Sequence, residues 1–231
     1  MSTQANLKNV RRFDRWAGTY DRGRITPWLA RGQRQALAAL HLAPGDAVLD
    51  IGCGTGGATV EAAVRDGVGR ACGIDLSPRM IARAAAQADG LANVEFRVAD
   101  AEALPYPAAS FDGALCAHSF HHYSDPVRAL REIRRVLKPT GRFVVLDSDR
   151  GACPWVWAWD RILRVVERGH VKYYTEAELF GLLVDAGFAQ PAVVARDHGH
   201  FRDGKIGWAL AIIRAAKSSP SPSTLVNGEL Q

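Results

Sequence analysis

Two rhythms of apolar positions run along this chain. Residues 6–41 place apolar side chains at helical spacing, with a break at 18–23. A fresh start follows at Thr26-Pro27, where Thr can cap and Pro can take the first helical position. Beyond the turn Pro44-Gly45-Asp46, short apolar runs at 47–51, 71–74, 93–98, 111–117 and 142–146 read as strands. Helical patterns at 57–65, 77–88 and 125–137 separate them. Ser77-Pro78 and Asp125-Pro126 supply caps and first turns, and Lys138-Pro139-Thr140-Gly141 is expected to end the last helix. Strands alternating with helices of this length predict βαβ units and a parallel sheet. Later, a Trp-rich helix is expected over about 155–168. Another at 175–186 opens on the capping box Thr175/Glu178 and stops at Gly187. Strands at 192–196 and 206–214 close the pattern as an antiparallel edge pair, with His198 and His200 read as turn or surface residues between them. The expected fold is therefore α/β: a Rossmann-like, doubly wound, mostly parallel seven-stranded sheet. The stretch 217–231, with Ser-Ser-Pro-Ser-Pro-Ser, is expected to be a disordered tail.

Composition narrows the class. With 48% hydrophobic and 23% charged residues in 231, the chain is not a disordered segment, a collagen-like fibre or a coiled-coil rod. Its apolar runs fall far short of the ~20 residues of a membrane span. The N-terminus lacks the apolar core of a signal peptide, so a cytoplasmic address is expected. Cys53, Cys72, Cys116 and Cys153 lie far apart without metal-ligand spacing, which argues against a disulfide framework or a structural zinc site. No metal is expected. The net charge of +5 is uneven: residues 1–35 hold eight basic side chains against Asp14 and Asp21. Such an arm can face nucleic acid, an anionic membrane or an acidic substrate, or form a solvated helix face.

The segment Val48-Leu49-Asp50-Ile51-Gly52-Cys53-Gly54-Thr55-Gly56-Gly57 carries the strongest local signal. Glycines between a strand and a helix let a ligand approach the main chain, and the helix start offers free N–H groups. Gly52-x-Gly54-x-x-Gly57, with Asp75 some 20 residues on, fits a nucleotide or nucleoside fingerprint. Two further acids discriminate between ligands. Asp50 would repel a pyrophosphate and welcome a cation. Asp100, beyond the third strand, can accept from an exocyclic amine. Three carboxylates at successive strand ends suit a ligand with an amino group, a ribose and an adenine but no phosphate. S-adenosylmethionine is that ligand.

The stretches VLDIGCGTGG (48–57), GIDLSPRM (73–80), VADAEALPYPAASFDGALC (98–116), SFHHYSDPVRALREIRRVLKPTGRFVVLD (119–147) and YTEAELFGLLVDAGF (174–188) together resemble the class I S-adenosylmethionine-dependent methyltransferases. The resemblance is to the broad group that includes quinone-biosynthesis enzymes. FDRWAGTYD (13–21) is similar to that family's N-terminal cap. The resemblance implies a helical cap at 1–41, a cofactor-binding domain at 42–216 and a substrate lid near 150–172. It also implies that Asp50 and the backbone of Gly52, Cys53, Gly54 and Gly56 hold the methionine end of the cofactor. Asp75 would take the ribose hydroxyls, Leu76 would pack on adenine, and Asp100 with the Ala101 N–H would read the adenine edge. His118 would line the methionine side through its backbone, and Tyr20 would cover the cofactor. Each of these acids has an alternative reading as a helix cap or turn residue.

Methyl transfer from a sulfonium needs positioning of the acceptor and, for weak nucleophiles, removal of a proton. His121 and His122, just beyond the fourth strand, are the first candidates for that proton or for orienting the acceptor; the alternative is that they only shape the pocket. Asp147, His170 and Tyr173 are further candidates for the acceptor pocket. The run Cys153-Pro154-Trp155-Val156-Trp157-Ala158-Trp159 suggests an aromatic lid in which Trp155 and Trp159 share one helix face. It could equally dock at a membrane interface with the basic arm, or pack as core against the sheet edge. The expected partner is a small hydrophobic or aromatic acceptor methylated at O, C or N, with a lipid or quinone at a membrane surface as the alternative. Nucleic acid is disfavoured: His118-Ser119-Phe120-His121 stands where amino-methylating nucleic-acid enzymes carry Asn/Asp-Pro-Pro-Tyr/Phe. An NAD-binding protein is disfavoured by Asp50 and Asp100.

Overall fold

The computed structural model describes residues 4–22, 26–65, 67–152, 154–166, 171–200 and 206–217. Two helices open the chain, α1 (Gln4–Trp16) and α2 (Thr26–Ala38). Five strands then alternate with helices: β1 (Ala47–Ile51), α3 (Gly57–Arg65), β2 (Arg70–Asp75), α4 (Pro78–Gln87), β3 (Val94–Val98), β4 (Phe111–Ala117), α5 (Pro126–Val136) and β5 (Leu137–Ser148). Next come α6 (Pro154–Val166), α7 (Glu176–Asp185), β6 (Phe188–His200) and β7 (Ile206–Lys217). The seven strands form one sheet in the order β3-β2-β1-β4-β5-β7-β6. The first five run parallel, and β7 pairs antiparallel with both β5 and β6. This is the expected doubly wound sheet with its antiparallel edge pair. Strand order reverses at β1 and β4, the place where such sheets bind ligands.

Alternation along the strands builds two cores. Leu49 and Ile51 of β1 pack with Leu130 and Ile133 of α5 and Leu183 of α7. Val48 of the same strand packs with Leu37 of α2 and Ala58 and Ala62 of α3. Ser77 accepts from the Met80 N–H and Asp125 from the Arg128 N–H, so both expected caps start their helices. The capping box of Thr175 and Glu178 is present at α7.

The structure corrects three expectations near the sheet edge. Lys138-Pro139-Thr140-Gly141 does not form a stop before the strand. Leu137 is fully buried and pairs with Phe111, so β5 begins five residues before position 142. β6 begins at Phe188 and tolerates Pro191 because its register shifts between Ala189 and Ala192. β7 runs on to Lys217, whose Nζ donates to the Leu137 carbonyl at 2.6 Å, so Lys217 is strand and not tail. His198 and His200 likewise lie within β6. The remainder of the expected tail, 218–231, lies outside the described residues. Among the described residues, no helix is long and apolar enough to cross a membrane.

Candidate functional site

The turn after β1 is built on backbone that only glycine adopts at ease. Gly52, Gly54 and Gly56 have φ of +72°, +55° and +86°. The Gly52 and Cys53 N–H groups both donate to the Ile74 carbonyl, at 2.8 and 2.9 Å, and tie the loop to β2. A Cβ on Gly52 would lie 2.4 Å from Ser119 Oγ, and one on Gly56 would lie 2.6 Å from Phe96 Cζ. Over Gly54 the nearest atom is Tyr20 Cε1, at 4.0 Å. Asp75 braces this turn from the end of β2. Its carboxylate accepts from the Gly54 N–H at 3.0 Å and the Ser77 N–H at 2.8 Å.

A cavity opens here, at the reversal of strand order. Its floor includes Gly52, Cys53 and Gly54 of the turn, Asp75 and Leu76 beyond β2, Asp100 and Ala101 beyond β3, and His118, Ser119 and His122 beyond β4. Its roof is Asn9 and Phe13 of α1, Tyr20 and Asp21, and Leu29, Ala30 and Gln33 of α2. The fold thus brings together Tyr20, Gly52, Cys53, Gly54, Asp75, Leu76, Asp100, Ala101, His118 and His122.

Other named residues stand elsewhere. Asp50 is 4% exposed beneath the turn, accepts the Thr59 hydroxyl at 2.7 Å and is not part of the cavity wall. Gly56 faces Phe96 and Ala84 of the packed interior. His121 is held outside the wall by Asp147: its Nδ1 lies 2.8 and 3.0 Å from the two carboxylate oxygens, and its N–H donates to Oδ2 at 3.0 Å. The Tyr173 ring lies tilted against His121 with centroids 4.8 Å apart, and the Tyr173 N–H donates to the buried Asp160. Trp159 is 56% exposed on α6. Trp155 lies on the same helix, and His170 lies outside the described residues.

Buried carboxylates dominate the electrostatics. Burial lifts Asp50 to about 7, with the charge of Asp75 adding to the rise and the Thr59 hydroxyl opposing it. Burial raises Asp75 too, against the backbone N–H groups of Ser77, Gly54 and Leu76. Tyr20 is pushed up to about 12 by burial and by Asp75, Asp21 and Asp50. His118 is lowered to about 4 by burial, so its imidazole is neutral. Its backbone has φ of +57°, and its N–H donates to the Leu146 carbonyl at 2.8 Å.

Sequence reasoning missed the bonds that fasten the roof to the turn. Asp21 accepts the Thr55 hydroxyl at 2.7 Å and Arg83 at 3.2 Å, and Asp14 accepts the Ser77 hydroxyl at 2.5 Å. The acids in Phe13-Asp14 and Tyr20-Asp21 were the available signal. Asn9, 3% exposed in the roof, was missed without a signal.

The family described as "Methyltransferase domain" matches residues 49–145. Demethylmenaquinone methyltransferase of Symbiobacterium thermophilum is 33% identical over 147 residues, covering 60% of this chain and 58% of that protein. The 27-O-demethylrifamycin SV methyltransferase of Amycolatopsis mediterranei is 41% identical over 111 residues, covering 47% of this chain and 40% of that protein. A solved S-adenosylmethionine-dependent methyltransferase of Thermotoga maritima, described as a possible histamine N-methyltransferase, superposes with a TM-score of 0.68 at 26% identity. That match covers 89% of this chain and 98% of the other. The chain spans about half the length of the curated relatives that it matches. Residues 49–145 thus match a methyltransferase domain family, and the fold is one that solved methyltransferases share.

Proposed function

We propose that this chain transfers the methyl group of S-adenosylmethionine to a small apolar or aromatic acceptor at O, C or N. The observation that carries the reading is a cluster of buried carboxylates around a glycine turn. Burial raises the proton affinity of Asp50 and Asp75, and among the described residues neither carboxylate has a cationic partner to offset it. A ligand with an ammonium and a sulfonium supplies that compensation. The residues fit it. Gly54 leaves its main chain open to close approach. Asp75 borders the cavity and spends lone pairs on backbone N–H donors, those of Gly54 and Ser77 among them, with acceptor capacity left for a ribose hydroxyl.

When bound, the cofactor would supply an activated methyl group for in-line transfer to the acceptor. The chain's own residues orient and enclose. Gly52, Cys53 and Gly54 hold the methionine end, with Asp50 acting as a buried charge from below. Leu76 packs on adenine, and Asp100 and the Ala101 N–H read its edge. Tyr20 closes the cofactor in. The acceptor occupies the side walled by Phe13, Leu29, His118 and His122. His122 stands in that wall and touches Phe13 at 5.2 Å, so it is the residue placed to take or orient an acceptor proton. His121, tilted against His122 at 4.0 Å between ring centroids and fixed by Asp147, positions it.

We also infer that the N-terminal helices cap a domain running from β1 to the end of β7, in a cytoplasmic setting that suits the free, buried Cys53, Cys72 and Cys116. The sequences of relatives that methylate demethylmenaquinone and demethylrifamycin support an aromatic acceptor. The test is calorimetry with S-adenosylmethionine and S-adenosylhomocysteine, then a screen of quinols, phenols, amines and lipids for homocysteine-nucleoside release. A wild-type chain that binds neither nucleoside refutes the reading.

A further inference from the structure

α6 presents an apolar face to solvent. Ten large apolar side chains are exposed among the described residues, and five belong to this one helix: Trp157, Trp159, Ile162, Val165 and Val166. Val165 and Val166 are 81% and 74% exposed. Their spacing places Ile162 and Val165 opposite the buried Val156 and Asp160, with Val166 and Trp159 toward one edge of that exposed face and Trp157 at the other. A monomer rarely shows so concentrated an apolar patch without using it. The helix is not core, since only Val156 and Asp160 are buried in it among the side chains described.

Charge specifies what would cover this face. The only acid of α6, Asp160, is fully buried, where it takes the Tyr173 N–H and the Arg164 guanidinium at 2.7 and 2.6 Å. Arg161 lies over the Trp157 ring at 5.2 Å and Arg164 flanks it. A run of contacts leads from this helix to the cavity: Asp160 to Tyr173, Tyr173 to His121, His121 to His122, and His122 to Phe13 of α1. α1 adds exposed Arg11, Arg15 and Trp16, while its only acid, Asp14, is turned to Ser77. The outer faces of both helices therefore offer aromatic, aliphatic and cationic groups, with no outward carboxylate among the described residues. Tryptophan at a headgroup boundary, aliphatic side chains below it and arginine at the rim are the composition that an anionic lipid surface recognises.

We propose that the outer face of α6, with the basic outer face of α1, docks the protein on an anionic lipid surface. The acceptor side of the cavity then lies next to the bilayer, so a lipid-dissolved acceptor can enter without crossing bulk water. That last consequence rests on the methyltransferase reading; the docking itself does not.

Co-sedimentation of the full chain with vesicles tests it, using phosphatidylcholine alone and phosphatidylcholine with about 30 mol % phosphatidylglycerol. Binding to the anionic vesicles is expected to be about tenfold tighter or more, and to weaken between about 0.1 and 0.5 M NaCl. Val165→Glu/Val166→Glu is expected to lower anionic-vesicle binding by about tenfold or more, with the affinity for S-adenosylhomocysteine unchanged. Trp157→Ser/Val165→Ser serves the same end if the charged variant fails to fold. Equal or absent binding to the two vesicle types overturns the proposal, as does a variant that binds like the wild type. A concentration-dependent dimer abolished by the same substitutions assigns the face to a second copy and also overturns it. Vesicle binding without nucleoside binding leaves docking standing and removes the methyltransferase reading.

Discussion

Replacing Asp50 by asparagine separates the cost of the buried charge from its use. Asp50 holds its proton up to about pH 7, whereas an ordinary carboxyl releases it near 3.8. Between those values the folded state binds the extra proton, so stability falls as pH rises through that window and levels off above about 7. The difference of about three pH units, at ~1.4 kcal/mol each, makes the ionised group cost ~4 kcal/mol at pH 8. Asp50→Asn keeps an oxygen for the Thr59 hydroxyl and carries no charge. The unliganded variant is therefore expected to gain up to ~4 kcal/mol at pH 8, a rise in Tm on the order of 10 °C, and to gain almost nothing near pH 4.

The same substitution is expected to weaken the cofactor. Loss of the attraction between the buried carboxylate and a bound cation is expected to cost on the order of 1–3 kcal/mol, roughly five- to 150-fold in affinity. Urea denaturation of both proteins at pH 4, 6 and 8, with and without S-adenosylmethionine, reads both quantities. Because binding favours the ionised carboxyl, the wild type should release a proton on binding below pH 7, and the variant should not. A variant no more stable than the wild type at pH 8, or one that binds the cofactor equally well, refutes the reasoning.

Four further outcomes follow from named contacts. Asp75→Ala is expected to weaken S-adenosylmethionine by ~1–3 kcal/mol, read by calorimetry; unchanged affinity would exclude Asp75 from the ribose site. Gly52→Ala sets a methyl group against Ser119 Oγ on a backbone with φ of +72°, so a loss of ~1–3 kcal/mol in urea denaturation is expected. Asp147→Ala leaves the His121 ring and N–H without their acceptor, and is expected to cost ~1–3 kcal/mol and to lower kcat more than it changes cofactor affinity. Thr55→Val removes the hydroxyl held by Asp21, and stopped-flow measurements should show cofactor release faster by roughly fivefold or more.

The sheet was legible because its signals are local. Apolar runs bounded by Gly, Pro and capping residues marked β1 to β4 and their helices, and the turn after β1 announced itself through glycine. The edge was less legible because pairing decides its lengths. Leu137 is drawn into β5 by Phe111 of β4, and Lys217 into β7 by the ladder with β6. Neither contact has a local pattern. Side-chain direction was the second blind spot. Asp50 and Asp75 read alike as acids at strand ends, yet one points beneath the turn to Thr59 and the other borders the cavity. His121 and His122 are adjacent in sequence, but a short helical turn at Phe120–His122 sends His121 to Asp147 and leaves His122 in the wall. The tryptophans of α6 could have been core, lid or surface by spacing alone; exposure of Trp157 and Trp159 distinguishes these.

The roof and the cofactor turn are joined by bonds that do double service. Ser77 caps α4 through the Met80 N–H, gives its own N–H to Asp75 and its hydroxyl to Asp14 of α1. Asp21 gathers the Thr55 hydroxyl from the turn and Arg83 from α4. Each link involves an acid of the N-terminal segment and a donor that also shapes the floor. The roof therefore cannot lift without loosening the floor, and a ligand that neutralises the buried carboxylates strengthens both together. Order in the N-terminal helices and affinity for a cationic nucleoside are in this way two readings of one network. Because Asn9, Phe13 and Leu29 of those helices also line the cavity, cofactor binding is expected to order the proposed acceptor side before an acceptor arrives.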